Sequence, residues 1–338
     1  MVTKIGINGF GRIGRQVLKA ITDRYPDKLE VVAINDLVPV DVNANLLKYD
    51  SNYGRWHRDV RSEADGISID GRLVKVFSER DPGAIPWGSV GADMVVESTG
   101  LFTDATKAVA HRRDSVKKVI ISAPAKNEDV TVVLGVNAEK YDPASHHVIS
   151  NASCTTNGLA PVVKVIVDNL GLVKGQMTTI HSYTNSQKIL DQAGGSDLRE
   201  MRAGPLNIVP TSTGAAKALK LVIPEIDGRL DGLSYRVPTP TVSIVEVVAL
   251  TEKDTTKEEL NNILRETAGE KMKGILGFTT DPVVSMDMKG DERSSIVDGL
   301  STNVVGGNLV KVAAWYDNEW GYACRISDLC NFVAEKGL

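Results

Sequence analysis

Apolar positions in the first part of the chain gather in short runs that alternate with amphipathic stretches. Residues 4–7 predict a strand, residues 15–25 (RQVLKAITDRY) a helix, and residues 29–36 (LEVVAIND) a second strand. The alternation returns with a strand in DMVVESTG, a helix in DATKAVAHRRD with Thr103 as its N-cap, and strands in KKVIISAPA and VTVVLGV. Continuously apolar strands need cover on both faces, so this part predicts a parallel sheet between helices. Residues 46–87 interrupt the rhythm, and GISIDGRLVKVF within them predicts a hairpin.

The pattern changes after residue 150. HHVIS predicts a strand and residues 159–170 a buried helix, with Pro161 tolerable only in its first turn. QMTTIHSYTN, GRLDGLSYRVPT, TVSIVEVVALTE and NLVKVAAWYDNE are rich in β-branched residues and partly alternate, as in an antiparallel or mixed sheet with one exposed face. Helical patterns in TGAAKALKLVI, KEELNNILRETAGE and GYACRISDLCNFVAEKG separate them. Residues 182–209 show little periodicity, and loops this long are usually functional or interfacial.

A chain of 338 residues suits two domains. Its net charge of −4 gives no reason to expect nucleic acid, which needs a concentrated basic face. Cys154, Cys324 and Cys330 have no CxxC spacing, so neither a disulfide framework nor a metal site is expected. The N-terminus lacks the regions of a signal peptide, and no apolar run approaches the ~18 residues of a membrane span. The expected setting is cytoplasmic and reducing, with no membrane partner.

Two stretches carry candidate chemistry. Gly9, Gly11 and Gly14 stand between the first strand and helix, where they allow a tight turn, close approach of a pyrophosphate and close helix packing. Asp36 ends the second strand, about 20 residues past Gly14, where a carboxylate can accept hydrogen bonds from an adenosine ribose. The alternative reading is a glycine turn and a solvated aspartate. The second stretch, SNASCTTNG (residues 150–158), sets Cys154 where a strand hands over to a helix. Helix N–H groups and the helix dipole favour a thiolate there, which predicts a thiol pKa below the ordinary value. A lone cysteine otherwise reads as inert packing.

GINGFGRIG, SNASCTTN, HSYTN, PTSTGAAKA, RVPTP and WYDNEWGY occur in that order and span nearly the whole chain. Together they closely resemble phosphorylating glyceraldehyde-3-phosphate dehydrogenases. The resemblance implies an α/β fold: a Rossmann-like dinucleotide-binding domain plus an α+β catalytic domain with a mixed, largely antiparallel sheet. Residues 1–153 would form the first domain, joined by the C-terminal helix at about 318–338, and residues 154–317 the second. It also implies a homotetramer that oxidises glyceraldehyde 3-phosphate with NAD and inorganic phosphate, in glycolysis or gluconeogenesis. Cys154 would form a hemithioacetal and then a thioester, with His181 as base. His57, His111, His146 and His147 read as surface or packing residues. Cofactor contacts carried over are Gly9, Gly11, Arg12, Ile13, Gly14, Asp36, Arg80, Ser122 and Asn318, the last at the nicotinamide carboxamide. Substrate or phosphate contacts are Ser153, Thr155, Thr184, Thr213, Gly214 and Arg236, although each threonine alone would read as a cap or turn.

The chain departs from the family pattern at Gly158, where many relatives carry a second cysteine, and at Gln192, Ala193 and Glu200 in the long loop. Arg199 or Arg202 would have to replace an arginine that relatives place in that loop. Asp36 favours NAD over NADP, while Gln192 and Ala193 stand where NADP-using relatives carry small or polar residues. The rival readings are erythrose-4-phosphate dehydrogenase, disfavoured by HSYTN and STG, and a binding protein with a nonchemical role, disfavoured by the Cys154 and His181 set.

Overall fold

Strand Thr3–Asn8, buried except at Lys4, lies near the middle of a nine-stranded sheet in a computed structural model that describes residues 2–195 and 197–338. The chain divides into two units, one of residues up to 132 with 139–152 and 323–338, the other of residues 133–138 and 153–322.

In the first unit, Thr3–Asn8 pairs in parallel with Leu29–Asn35 on one side and Met94–Glu97 on the other. Lys118–Ile121, Val148–Ser150 and Val130–Thr131 continue the parallel sheet beyond Met94–Glu97. Arg72–Phe77 continues it beyond Leu29–Asn35, and the antiparallel strands Gly66–Ile69 and Val60–Glu63 close that edge. GISIDGRLVKVF is therefore the hairpin its alternation predicts. Trp87, Val95, Val119 and Ile121 are fully buried in the core of this unit. The last part of helix Trp320–Lys336 belongs here, where Asp328 accepts from Arg24 at 2.9 Å and from the Tyr25 hydroxyl at 2.7 Å.

Three elements differ from the sequence reading. VTVVLGV contributes only Val130–Thr131 to the sheet, and its remaining residues turn away after Val132. The helix in DATKAVAHRRD is only Ala105–Ala108 with a 3₁₀ turn to His111, and its N-cap is Asp104, which accepts from the Thr106 N–H at 3.0 Å. A carboxylate one residue nearer the helix displaces Thr103 from the capping role. The first long helix begins at Arg12, inside the glycine turn.

The second unit contains an eight-stranded mixed sheet. Leu172–Ser182 runs parallel to Leu230–Val237 and antiparallel to Ser243–Thr251, which pairs antiparallel with Leu309–Tyr316. Ser243–Thr251 alternates buried and half-exposed positions throughout, so one face of the sheet is covered and the other is not. Helix Cys154–Leu170 lies on the covered face and is buried along most of its length. It starts five residues earlier than its apolar run suggests, leaving Pro161 inside the helix. Proline there deprives the Asn157 carbonyl of its usual donor. Burial of Leu159, Val162, Val163 and Ile166 on the sheet outweighs that local cost.

Candidate active site

The glycine turn of the first unit is shaped by exclusion. Gly9 has φ +88°, and a Cβ there would stand 2.7 Å from the Thr99 backbone; at Gly14 it would stand 2.1 Å from the Gly9 carbonyl oxygen. Neither position admits a side chain. Gly11, the exposed N-cap of helix Arg12–Arg24, has open space where a Cβ would stand, so the turn keeps a cradle beside the first-turn N–H groups. Asp36 is pinned nearby: one carboxylate oxygen accepts from the Phe10 N–H at 2.7 Å and the other from the Val38 N–H at 2.9 Å. This cradle and its fixed carboxylate fit the diphosphate and ribose of a dinucleotide. The Arg12 guanidinium is committed to Asp50 at 2.7 Å; burial would raise the Asp50 carboxyl, but Arg12 holds it below its ordinary value. Ile13 is half-buried in the first turn. Arg80 is exposed and Ser122 half-buried, and among the described residues neither hydrogen-bonds the turn.

Cys154 is the first residue of its helix. The turn before it places Ala152 at φ +54°, a left-handed conformation rare outside glycine, and Ser153 then caps the helix by accepting from the Thr156 N–H at 3.0 Å. Sγ of Cys154 meets the Thr155 hydroxyl and the backbone N–H groups of Cys154 and Thr155. His181 reaches it from strand Leu172–Ser182, with Nε2 3.5 Å from Sγ. The parallel register sets Arg236 opposite His181, and its Nη1 lies 2.5 Å from His181 Nδ1.

These contacts decide the protonation state. Burial, with the Arg236 charge behind it, pushes the His181 imidazole down to about 3. Burial also pushes the Cys154 thiol up, against the opposing pull of Arg236, Thr155 and the helix N–H groups. The expectation of a depressed thiol pKa is thus corrected, because desolvation of the sulfur outweighs the helix N-terminus. At neutral pH the resting pair is a neutral thiol beside a neutral imidazole.

The other expected contacts fall into two groups. Thr155 is buried, and its hydroxyl meets the Tyr316 hydroxyl at 2.9 Å. Thr184 hydrogen-bonds within its own turn, to Gln187 and Ser186, and the Thr213 hydroxyl accepts from the Ala215 N–H beside exposed Gly214. Neither threonine hydrogen-bonds Cys154 or His181 among the described residues. Of the two loop arginines, Arg202 pairs with Asp191 at 2.7 Å and Arg199 is exposed. Asn318 is buried, and its Oδ1 accepts from Ser182 Oγ at 2.9 Å and Ser243 Oγ at 3.0 Å. That arrangement fixes the amide and leaves its NH₂ group to donate.

Sequence reasoning missed three supports. Tyr316 joins Thr155 to Thr179, whose hydroxyl lies 2.8 Å from its own, and stacks edge-on against His181 at 5.9 Å. Its place two residues before Asn318 in WYDNE is the signal that could have found it. Ser182 and Ser243, which orient Asn318, carry no motif of their own. Gly158 also acquires a reason: a Cβ there would press to 3.1 Å from the Tyr316 ring. Among the described residues no cluster of side chains could hold a metal ion, and no helix is long and apolar enough to cross a membrane.

Comparison with known proteins covers both units. Residues 3–105 match the family model described as glyceraldehyde 3-phosphate dehydrogenase, NAD binding domain, and residues 153–318 match that described as its C-terminal domain. Over 338 residues, the whole of both chains, the sequence is 53% identical to the glyceraldehyde-3-phosphate dehydrogenases of Geobacillus stearothermophilus and of Priestia megaterium. It is 51% identical, again over both full lengths, to glyceraldehyde-3-phosphate dehydrogenase 1 of Bacillus subtilis.

Proposed function

Because the chain belongs to the glyceraldehyde-3-phosphate dehydrogenase family, we propose that it oxidises glyceraldehyde 3-phosphate with NAD and inorganic phosphate to 1,3-bisphosphoglycerate and NADH. The observation that carries this reading is the 3.5 Å approach of His181 Nε2 to a cysteine sulfur seated at a helix N-terminus. His181 takes the thiol proton as Sγ of Cys154 adds to the aldehyde carbon, which joins substrate and protein as a hemithioacetal. NAD, when bound, supplies the two-electron acceptor that turns this adduct into a thioester. Asn318, with its amide held by Ser182 and Ser243, orients the carboxamide of the cofactor, while Gly11, Ile13 and Asp36 hold its diphosphate and ribose.

Phosphate then attacks the thioester carbonyl; the new O–C bond forms, the C–S bond breaks, and the sulfur leaves as the thiolate. Arg236, Thr184, Thr213 and Gly214 receive the phosphate groups, with Arg236 supplying the charge and the others hydroxyl and N–H donors. A homotetramer suits the exposed apolar side chains of the 182–209 loop, Ile189, Leu190, Leu198, Leu206 and Ile208, each at least 68% exposed. The test mixes protein, NAD, phosphate and glyceraldehyde 3-phosphate and follows NADH absorbance. Phosphate-dependent NADH formation is expected. No NADH, or faster turnover of erythrose 4-phosphate, overturns the reading.

A further inference from the structure

His181 Nδ1 faces two partners that one neutral ring cannot satisfy together. It lies 2.7 Å from the Ser182 carbonyl oxygen, which can only accept, and 2.5 Å from Arg236 Nη1, which can only donate. Donation to Ser182 needs the proton on Nδ1, which leaves a lone pair on Nε2 facing the Cys154 sulfur. Acceptance from Arg236 needs Nδ1 bare, which puts the proton on Nε2. A ring protonated at Nε2 cannot take the thiol proton. The two contacts therefore correspond to a base that is ready and a base that is blocked.

Arg236 has unspent capacity to move. Its Nε is buried with no hydrogen-bond partner among the described residues, and its Nη1 reaches the Ser182 carbonyl only at 3.4 Å. A buried guanidinium nitrogen without an acceptor is costly, and an oxyanion relieves it with paired hydrogen bonds. The neighbouring backbone cannot supply that acceptor while Arg236 rests on the imidazole.

Resting on the function proposed above, we propose that phosphate binding at Arg236 switches the His181 tautomer and thereby readies the base. Phosphate oxygens draw the guanidinium off Nδ1. The freed nitrogen takes a proton from water or the phosphate and donates it to the Ser182 carbonyl, while Nε2 gives up its own proton, so the ring gains and loses one proton and remains neutral. Arg236 is thus a positioning residue for the base as well as an anion ligand. Removing its charge from Nδ1 also removes one of the two causes that hold the imidazole pKa low. The phosphate may be inorganic or may be carried by the substrate, because both present the same oxygens.

The experiment reads the tautomer directly, by magic-angle-spinning ¹⁵N spectra of microcrystalline full-length protein labelled at its histidine nitrogens, with His181→Asn as the assignment reference. Without phosphate the His181 signals should be those of the Nε2–H tautomer. Saturating inorganic phosphate in one arm, and glycerol 3-phosphate in another, should convert most of the signal to Nδ1–H; conversion in one arm alone identifies which phosphate acts. Arg236→Leu should show Nδ1–H with or without either anion. An Nδ1–H ring in the phosphate-free wild type, or an Nε2–H ring that persists in both arms, overturns the proposal. The wild-type titration stands even if the Arg236 variant fails to fold. NADH formation by the same preparation tests the dehydrogenase reading separately, since the spectra require no turnover.

Discussion

Asp36 should make the protein prefer NAD to NADP by about two orders of magnitude. Each oxygen of its carboxylate accepts a backbone N–H, from Phe10 and from Val38. A hydrogen bond to a charged group is worth about 1.5–3 kcal/mol, so turning the carboxylate aside costs at least about 3 kcal/mol. Leaving it in place is no cheaper. At ~5 Å and an effective dielectric of about 20, each unit charge of a 2′-phosphate is repelled by about 3 kcal/mol. A phosphate carries roughly −1.5 to −2, and discounting by about half for solvent around the half-buried Asp36 leaves about 3 kcal/mol. That corresponds to roughly 100-fold in kcat/KM. The adjacent Leu37 and Val38 are exposed and bring no cation to offset it. Asp36→Ala should shrink the ratio to within about tenfold, chiefly by improving NADP. The assay is steady-state kcat/KM for both cofactors at matched phosphate and ionic strength. Equal wild-type values, or a ratio unchanged by Asp36→Ala, would refute the electrostatic reasoning.

The remaining expectations concern the second unit and the two helical cysteines. Iodoacetamide at neutral pH should label Cys154 first, because Cys324 and Cys330 are fully buried and burial pushes both thiols up, Cys324 to about 12; peptide mapping that finds either labelled faster contradicts this. His181→Asn should slow the acylation burst by roughly two to four orders of magnitude, as loss of a general base does, and a smaller loss in stopped-flow would remove His181 from that role. The folded His181 pKa of about 3 lies below the ordinary 6.5, so the unfolded chain binds the extra proton between those values and acidification disfavours folding. At pH 5 the penalty is about 2 kcal/mol relative to neutral pH. Urea denaturation at both pH values should show that loss in wild type and its absence in His181→Asn. Tyr316→Phe should cost about 1–3 kcal/mol in the same assay, because it removes the hydroxyl shared by Thr155 and Thr179.

What could be read from the sequence follows the range of the forces involved. The glycine turn was legible because Gly9 and Gly14 answer to backbone clashes within one strand, turn and helix, and Asp36 because its strand is the next in the sheet. The helix start at Cys154 was less so. Pro161 argued locally for a later start, and only the sheet beneath the helix supplies the burial that overrides it. The state of the thiol was not legible at all. Ser153, Thr155 and the helix N-terminus, all visible in SNASCTTNG, favour the thiolate, but the desolvation that wins comes from elements distant in sequence. Tyr316 and Ser243 were missed for the same reason: each supports the site through the pairing that sets them opposite one another, a register that no local pattern reveals.

That register carries more than one contact. Strand Leu172–Ser182 presents Met177, Thr179 and His181 to the covered face and Gln176 and Ile180 to the other. Its parallel partner sets Arg236 against His181, while its antiparallel partner starts at Ser243, whose hydroxyl accepts the Ser182 N–H at 3.0 Å and donates to Asn318. A slip of one residue would turn His181 to the face where Ile180 now stands and would separate it from the Cys154 sulfur. The irregularity in the pairing with Ser243–Thr251 lies between Leu172 and Lys174, at the far end of the strand, and from Lys174 to Ile180 the pairing is unbroken. The strand thus absorbs its misfit where no chemistry depends on it. The base, the anion ligand and the support for the cofactor amide all hang on the regular end, so the positions from Gly175 to Ser182 tolerate neither insertion nor deletion even where the individual side chains are exchangeable.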